Sequence, residues 1–286
     1  MARYGRRYGR RVTNMVAGAD AAPAAGGPGE ARAGAMLRRW RQRRRLSQLD
    51  LSVAADVSTR HLSFVETGRA TPSREMVLHL ADHLDVPLRE RNALLLAAGY
   101  APVFRESGLD GPGMAATMEA LRGVLAAHEP YPALLADRRW NLVDANPAAA
   151  ALMEGIAPEL LEPPVNVLRA SLHPGGLAPR IVNLPEWRAH LLHRLRREAD
   201  LLGAAELDEL YRELRGHPYE SDGDERPAVL PAEVAMTLRL RHPSGELRFL
   251  SLVSTFGTPA DVTLDELVLE TFLPADEPTA RMLARV

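Results

Sequence analysis

Residues 45–69 read RLSQLDLSVAADVSTRHLSFVETGR, and the punctuation of this stretch decides the fold of the front of the chain. Ser47 followed three residues on by Asp50 is a capping box, so a helix starts there and runs to Ala55. Asp56-Val57-Ser58 is a tight connection, and Ser58 caps the next helix, over 59–66. Two short helices joined in this way are set across each other, a helix-turn-helix that projects its second helix into a major groove of DNA. Leu62 and Val65 are predicted to face the core with Leu51 and with Val53 or Ala54. Thr59, Arg60 and Ser63 are left on the outward face. There Arg60 can make two parallel hydrogen bonds to guanine O6 and N7, a contact worth about 1–3 kcal/mol of discrimination. Thr59 and Ser63 are weaker readers.

Outward from this unit the pattern stays short and helical. Leu37 and Trp40 share one face of a preceding helix whose other positions are mostly Arg, and Gly68 supplies a left-handed residue to end the helix over 59–66. Pro72-Ser73 opens a fourth helix to about residue 84, and 88–98 makes a fifth. Residues 30–100 are therefore predicted to be an all-α five-helix bundle. Arg41, Arg43, Arg44 and Arg45 adjoin the groove-reading unit, so phosphate contact is expected of them, Arg43 and Arg44 in particular. Neutralising several phosphates makes affinity fall steeply with salt. His79 and His83, four apart, have the spacing of a metal pair but no third ligand, so no metal is expected.

In front lies a basic tail, 1–29, with five Arg and two Tyr in its first eleven residues and an Ala/Gly/Pro-rich stretch after them. It is predicted to be disordered, because it has too little apolar surface to fold. Its paired Arg residues lack the apolar run of an export signal. The tail either adds phosphate attraction or reflects a misassigned start, with Met15 as the real first residue. Gly99, Pro102, Gly108, Gly111 and Pro112 mark a linker over 101–115.

Composition agrees with this division. The 286 residues, 46% apolar and 25% charged, suffice for two domains. The net charge of −2 divides unevenly: residues 1–100 hold 17 Arg against 9 acids, +8, and the rest hold 18 against 28, −10. A basic front meets polyanions; an acidic back does not. All 35 basic residues are Arg, and Cys is absent. That excludes disulfide scaffolds, thiol nucleophiles, phosphate-loop lysines and Schiff bases. The longest stretch without charge, 92–104, is too short to span a bilayer, so no membrane association and a cytoplasmic location are expected.

The back half mixes strands with helices. Residues 133–136 and 140–144 read as two strands around a turn at Asp137-Arg138, and 147–153 as a short helix. Trp187, Leu191 and Leu195, then Leu207, Leu210, Tyr211 and Leu214, mark two amphipathic helices. Alternation from Val234 to Arg241, a turn at Pro243-Ser244-Gly245 and apolar runs over 247–256 and 267–273 complete an antiparallel sheet. The second domain, 116–273, is thus predicted to be α+β, followed by a tail, 274–286. An apolar cleft is expected between sheet and helices. Its candidate lining is Trp140, Leu168, Leu172, Trp187 and Leu191, with Asn146, Arg169, His173 and His190 as polar anchors; Asn146 could instead only cap the helix after it. Catalysis is not expected: there is no G-x-S-x-G, no H-E-x-x-H and no phosphate-cradling loop, and the enzyme reading would need His173, His190 and a carboxylate to converge.

Two resemblances sharpen these readings. Arg45-Leu46-Ser47-Gln48, Val57-Ser58 and Glu66-Thr67-Gly68-Arg69 resemble the XRE (phage-repressor-like) helix-turn-helix regulators over about 55 residues. That resemblance implies Gln48 against a phosphate or base edge and Ser58 and Arg69 as phosphate anchors. Phe64 stands where the family is often polar, and either packs on a thymine methyl or is partly buried. Residues 133–137, 140–146, Ala148, Leu152 and Gly155 resemble the opening of a PAS domain. Together with Glu129-Pro130-Tyr131-Pro132, 163–166, 171–174 and 187–191, the chain from about 30 to 273 resembles the MmyB-like transcription regulators. This implies a dimeric DNA-binding regulator with a PAS-like domain that takes an apolar or fatty-acid-like ligand. The alternative is a second domain that is a ligandless dimerisation or partner-docking module. No cofactor is implied.

Overall fold

The computed structural model describes residues 28–218 and 236–284. Of the tail over 1–29, expected to be disordered and to attract phosphate, residues 1–27 fall outside them, as does the start of the alternation at Val234, while Pro28 and Gly29 are already the first residues of a helix. The front of the chain is a five-helix bundle: α1 (Pro28–Arg43), α2 (Gln48–Ala54), α3 (Thr59–Glu66), α4 (Arg74–His83) and α5 (Leu88–Ala97). Ser47, Ser58 and Ser73 cap α2, α3 and α4 by accepting the amide three residues on, and Asp50 returns the bond to the Ser47 amide at 2.8 Å. Leu37, Trp40, Leu51, Leu62, Val65, Leu80, Leu94 and Leu95 form the core. The partner of Leu51 on α2 is Ala55, one helical turn on, and neither Val53 nor Ala54: Val53 lies about 200° around the helix and is 73% exposed.

The second part is α+β. Its sheet has the order β2-β1-β5-β4-β3, antiparallel throughout, from β1 (Ala133–Ala136), β2 (Leu142–Ala145), β3 (Thr237–His242), β4 (Gly245–Thr255) and β5 (Val268–Pro274). Between the hairpin and the later strands come α7 (Pro147–Leu152), α8 (Val167–Leu172), α9 (Leu184–Leu202) and α10 (Ala205–Gly216). One face of the sheet packs Leu134, Leu238, Leu240, Phe249 and Phe272 with Trp187, Leu191, Leu195 and Leu207. The other face is covered by α6 (Ala115–Ala127), whose Met118, Leu121 and Leu125 meet Ala133, Leu135 and Leu267. Because β1 is covered on both faces, all four of its residues are buried.

Three elements lie beyond the sequence expectation. Helix α6 begins at the end of the expected linker. Helix α11 (Val262–Asp265) precedes β5, and the expected tail 274–286 carries α12 (Glu277–Leu283), capped by Asp276 and packed on β4 and β5. The linker is also pinned: the Asn92 side chain accepts from the amides of Val103 and Phe104, the Val262 amide donates to the Arg105 carbonyl, and the Thr263 hydroxyl donates to that of Ser107. The helical bundle is tied to α11 by the Leu88 amide donating to Asp265 at 3.0 Å and by Arg89 gripping Glu266 at 2.7 and 3.0 Å. Among the described residues no helix is long and apolar enough to cross a membrane.

Candidate nucleic-acid interface and ligand cavity

Helix α3 leaves Thr59 and Arg60 exposed and Ser63 and Phe64 half-buried, while Leu62 and Val65 hold it to the core. The Arg60 Cζ lies 5.4 Å from the centre of the Phe64 ring one turn on, so the apolar ring carries the guanidinium at the surface. Thr59 Oγ1 is bonded to Ser52 Oγ on α2 at 2.8 Å, which fixes the angle between the two helices. Ser58 Oγ accepts the His61 amide at 3.1 Å, so the residue that caps α3 stands exposed at its start, and Arg69 is exposed just past its end.

Behind this face is a buried ion pair. Arg41 on α1 donates to both oxygens of Glu66, at 2.6 and 2.8 Å, and Gln48 adds a third bond at 2.8 Å. Burial pushes the Glu66 carboxyl up, but the bonds from Arg41 and Gln48 and the Arg41 charge outweigh it and hold it below the usual range. Gln48 thus spends its amide NH2 on the end of α3.

Arg43 and Arg44, of which phosphate contact is expected, stand where the helical bundle meets the second domain. The Arg44 guanidinium donates to the carbonyls of Leu84, Asp85 and, in the second domain, Leu201. Arg43 lies over Trp40 and fills the space a Cβ on Gly203 would take. Arg44 thus caps the end of α4 and also reaches the end of α9, where free carbonyls attract cations, and Arg43 packs against the same end of α9. His79 holds the Ala55 carbonyl at 2.7 Å and meets His83 edge-on; no group of three metal-ligating side chains exists among the described residues.

In the second domain an apolar cavity of about 70 Å³ opens between the sheet and α7, α8 and α9. Of the nine residues expected there, Leu168, Trp187 and Leu191 line it, with Leu134, Ile156, Phe272 and others. The remaining six do other work. Trp140, 1% exposed, donates from Nε1 to Glu198. Asn146 caps α7 and staples the Ala133 amide and the Tyr131 carbonyl. Arg169 grips Glu213 in two bonds at the surface. Leu172 is core, His173 accepts the Gly175 amide and meets His217, and His190 stacks on Trp187 outside the cavity wall. Burial, then the charge of Arg194, pulls the His190 imidazole below its ordinary value. His173 and His190 thus have separate partners.

The charged groups at the cavity are Arg194 and Glu270, neither singled out by the sequence reading. Arg194 Nη1 donates to Glu270 at 3.2 Å, and its Cζ lies 4.2 Å from the centre of the Trp140 ring. Its Nε and Nη2 are buried without a hydrogen-bond partner. Glu270, 4% exposed, also accepts from Ser251 at 2.6 Å. Burial holds the neighbouring Glu198 carboxyl above the usual range despite the Trp140 bond. The available sequence signal was weak: Arg194 lies seven residues after Trp187, a lone cation on the apolar face of α9.

Residues 118–286 match the family described as MmyB-like transcription regulator ligand binding domain, and residues 32–94 match the helix-turn-helix domain family. No curated protein matches the chain.

Proposed function

This chain belongs to the MmyB-like transcription regulators, a DNA-binding helix-turn-helix joined to a ligand-binding domain, and on that premise we propose that its DNA affinity is set by an apolar carboxylate. A homodimer presents two copies of α3 to successive major grooves of a roughly two-fold-symmetric operator, about 34 Å apart. The DNA face follows the XRE pattern, with Arg60, Thr59 and Ser63 toward base edges, Phe64 beside them, and Ser58 and Arg69 toward phosphates. The second domain is a PAS-like sensor, a reading supported by its opening hairpin, the helix capped by Asn146 and the later strands that complete one antiparallel sheet.

The observation that carries the ligand reading is Arg194. A guanidinium with two buried nitrogens that lack a hydrogen-bond partner costs stability unless something fills them, and a cavity with apolar walls lies against it. A fatty-acid-like molecule meets both demands, its carboxylate on Arg194 and its first carbons among Leu168, Trp187 and Leu191. The walls at Met153 and Ile156 must part for a longer chain. Native mass spectrometry of the full chain, then titration with dodecanoate, tests this. Saturable binding that Arg194→Gln weakens at least tenfold is the expected result. An empty protein, dodecanoate without effect on DNA affinity and an intact dimer would instead make the second domain a ligandless dimerisation module.

A further inference from the structure

Where the end of α1 meets α9, a second concave site of about 420 Å³ lies between the two domains. Its walls are Arg43, Arg44 and Arg45 from the helical bundle and His193, Arg196 and Arg197 from α9, with Asp200 and Leu201 closing it. Two of the five guanidinium groups are already engaged: Arg44 on carbonyl oxygens, Arg196 on Asp200 and Asp208. Arg43, Arg45 and Arg197 have no ion-pair partner among the described residues, and the one carboxylate in the wall, Asp200, is held by Arg196. Arg45 is set in the left-handed region, φ 56°, which turns the chain sharply at the rim of the cleft. Three unneutralised guanidinium groups converging from two domains repel one another, and a concave wall concentrates that field.

We propose that this cleft binds a chain of linked phosphates and that the anion bridges the two domains. Guanidinium groups spaced around a cleft match successive phosphate groups with paired N–H donors, whereas a single small anion reaches only one or two of them. The site is separate from the apolar cavity, so the proposal does not depend on the identity of that ligand. Phosphates reach such a cleft from two sources, a free oligophosphate or the backbone of bound DNA.

The test uses the full chain and tripolyphosphate as probe, without DNA, against sodium sulfate at matched ionic strength. The expected result is a saturable rise in melting temperature of several degrees with tripolyphosphate, absent with sulfate and lost in Arg45→Gln/Arg197→Gln. A second arm measures the salt dependence of duplex binding. If the DNA backbone is the source, the double variant lowers the slope of log K against log salt by about two. If a free oligophosphate is the source, that slope stays unchanged while the thermal shift disappears. The proposal is overturned if sulfate reproduces the shift, or if the double variant keeps both the shift and the slope. Both substitutions are at exposed positions, and an unchanged melting temperature without ligand verifies that they leave the fold intact.

Discussion

Arg60 and Arg69 are both exposed, yet they stand in different mechanical settings: one is carried on α3 against the Phe64 ring, the other follows the helix end. An arginine aimed by a rigid helix can discriminate bases, whereas one in a loop serves a phosphate. Arg60→Ala should therefore relax preference at one or two base pairs, and Arg69→Ala should weaken all sequences alike and flatten the salt slope; operator selection with purified variants reads both. Equal effects would mean that α3 is not the reading helix. The ion pair behind α3 sets a second expectation. Arg41→Met leaves Glu66, 1% exposed at its side chain, with only Gln48, and should cost about 3–5 kcal/mol. Since the folded Glu66 carboxyl is held below its unfolded value, its contribution is complete above the ordinary glutamate range and lost as pH falls through the depressed value. Urea midpoints measured from pH 6 down to 3 should fall more steeply for the wild type than for Glu66→Gln. The outward placement of Ser58, Thr59 and Arg60 was legible, because it follows from one cap and one helical period. The inward half was not: Gln48 and Glu66 are 18 residues apart, and no local pattern says that they touch.

At the scale of elements, caps made most boundaries readable, and close approaches between elements did not show at all. Ser47, Ser58 and Ser73 each fix a helix start through a bond three residues long, which sequence displays directly. Helix α6 has a comparable signal in Met118, Leu121 and Leu125, at i, i+3 and i+7, but no side-chain cap announces it. Helix α12 follows Asp276 and carries Pro278 in its first turn, so it was readable in the same terms as α2. The crossing of α1 over α3 has no such marker, and it depends on Gly34: a Cβ there would lie 2.0 Å from the Val65 carbonyl oxygen. Alanine in place of a helical glycine ordinarily stabilises by about 1 kcal/mol. At Gly34 the sign should reverse, with a loss of about 1–3 kcal/mol as α1 is pushed off α3. Gly123 in α6 is the control, since a Cβ there meets nothing within 4 Å. Gly123→Ala should raise the urea midpoint and Gly34→Ala lower it; two changes of the same sign would refute the close approach.

Across the whole molecule, the charge division of +8 and −10 foretold two domains with different partners but not how they touch, because docking is decided by pairs far apart in sequence. Arg44 is the clearest case: beside a groove-reading unit it reads as a phosphate contact, yet its bonds to the Leu84 and Asp85 carbonyls past α4 and to the Leu201 carbonyl, 157 residues on, hold it at the junction of the two domains. The same docking gives the cavity a physical route to the DNA face. Strand β5 carries Glu270 and Phe272 into the cavity wall, and just before it Asp265 and Glu266 hold the start of α5. Helix α9 carries Trp187, Leu191 and Arg194 into the same wall and ends on Arg43 and Arg44. A ligand can shift DNA affinity only by binding two domain arrangements unequally, and couplings of this kind are typically about 5–150-fold. The Glu266 carboxylate, shared by Arg89 and by Arg138 at the turn between β1 and β2, is one joint through which such a difference can pass between domains, the contact of α9 with Arg44 being another. Arg89→Gln should leave dodecanoate affinity within about twofold and DNA binding intact, while the ratio of DNA affinities with and without dodecanoate moves toward one. Dissociation constants measured by fluorescence anisotropy on one labelled operator give that ratio directly. An unchanged ratio in the variant would mean that the cavity signals through α9 alone, and Arg44→Gln would then be the substitution that abolishes it.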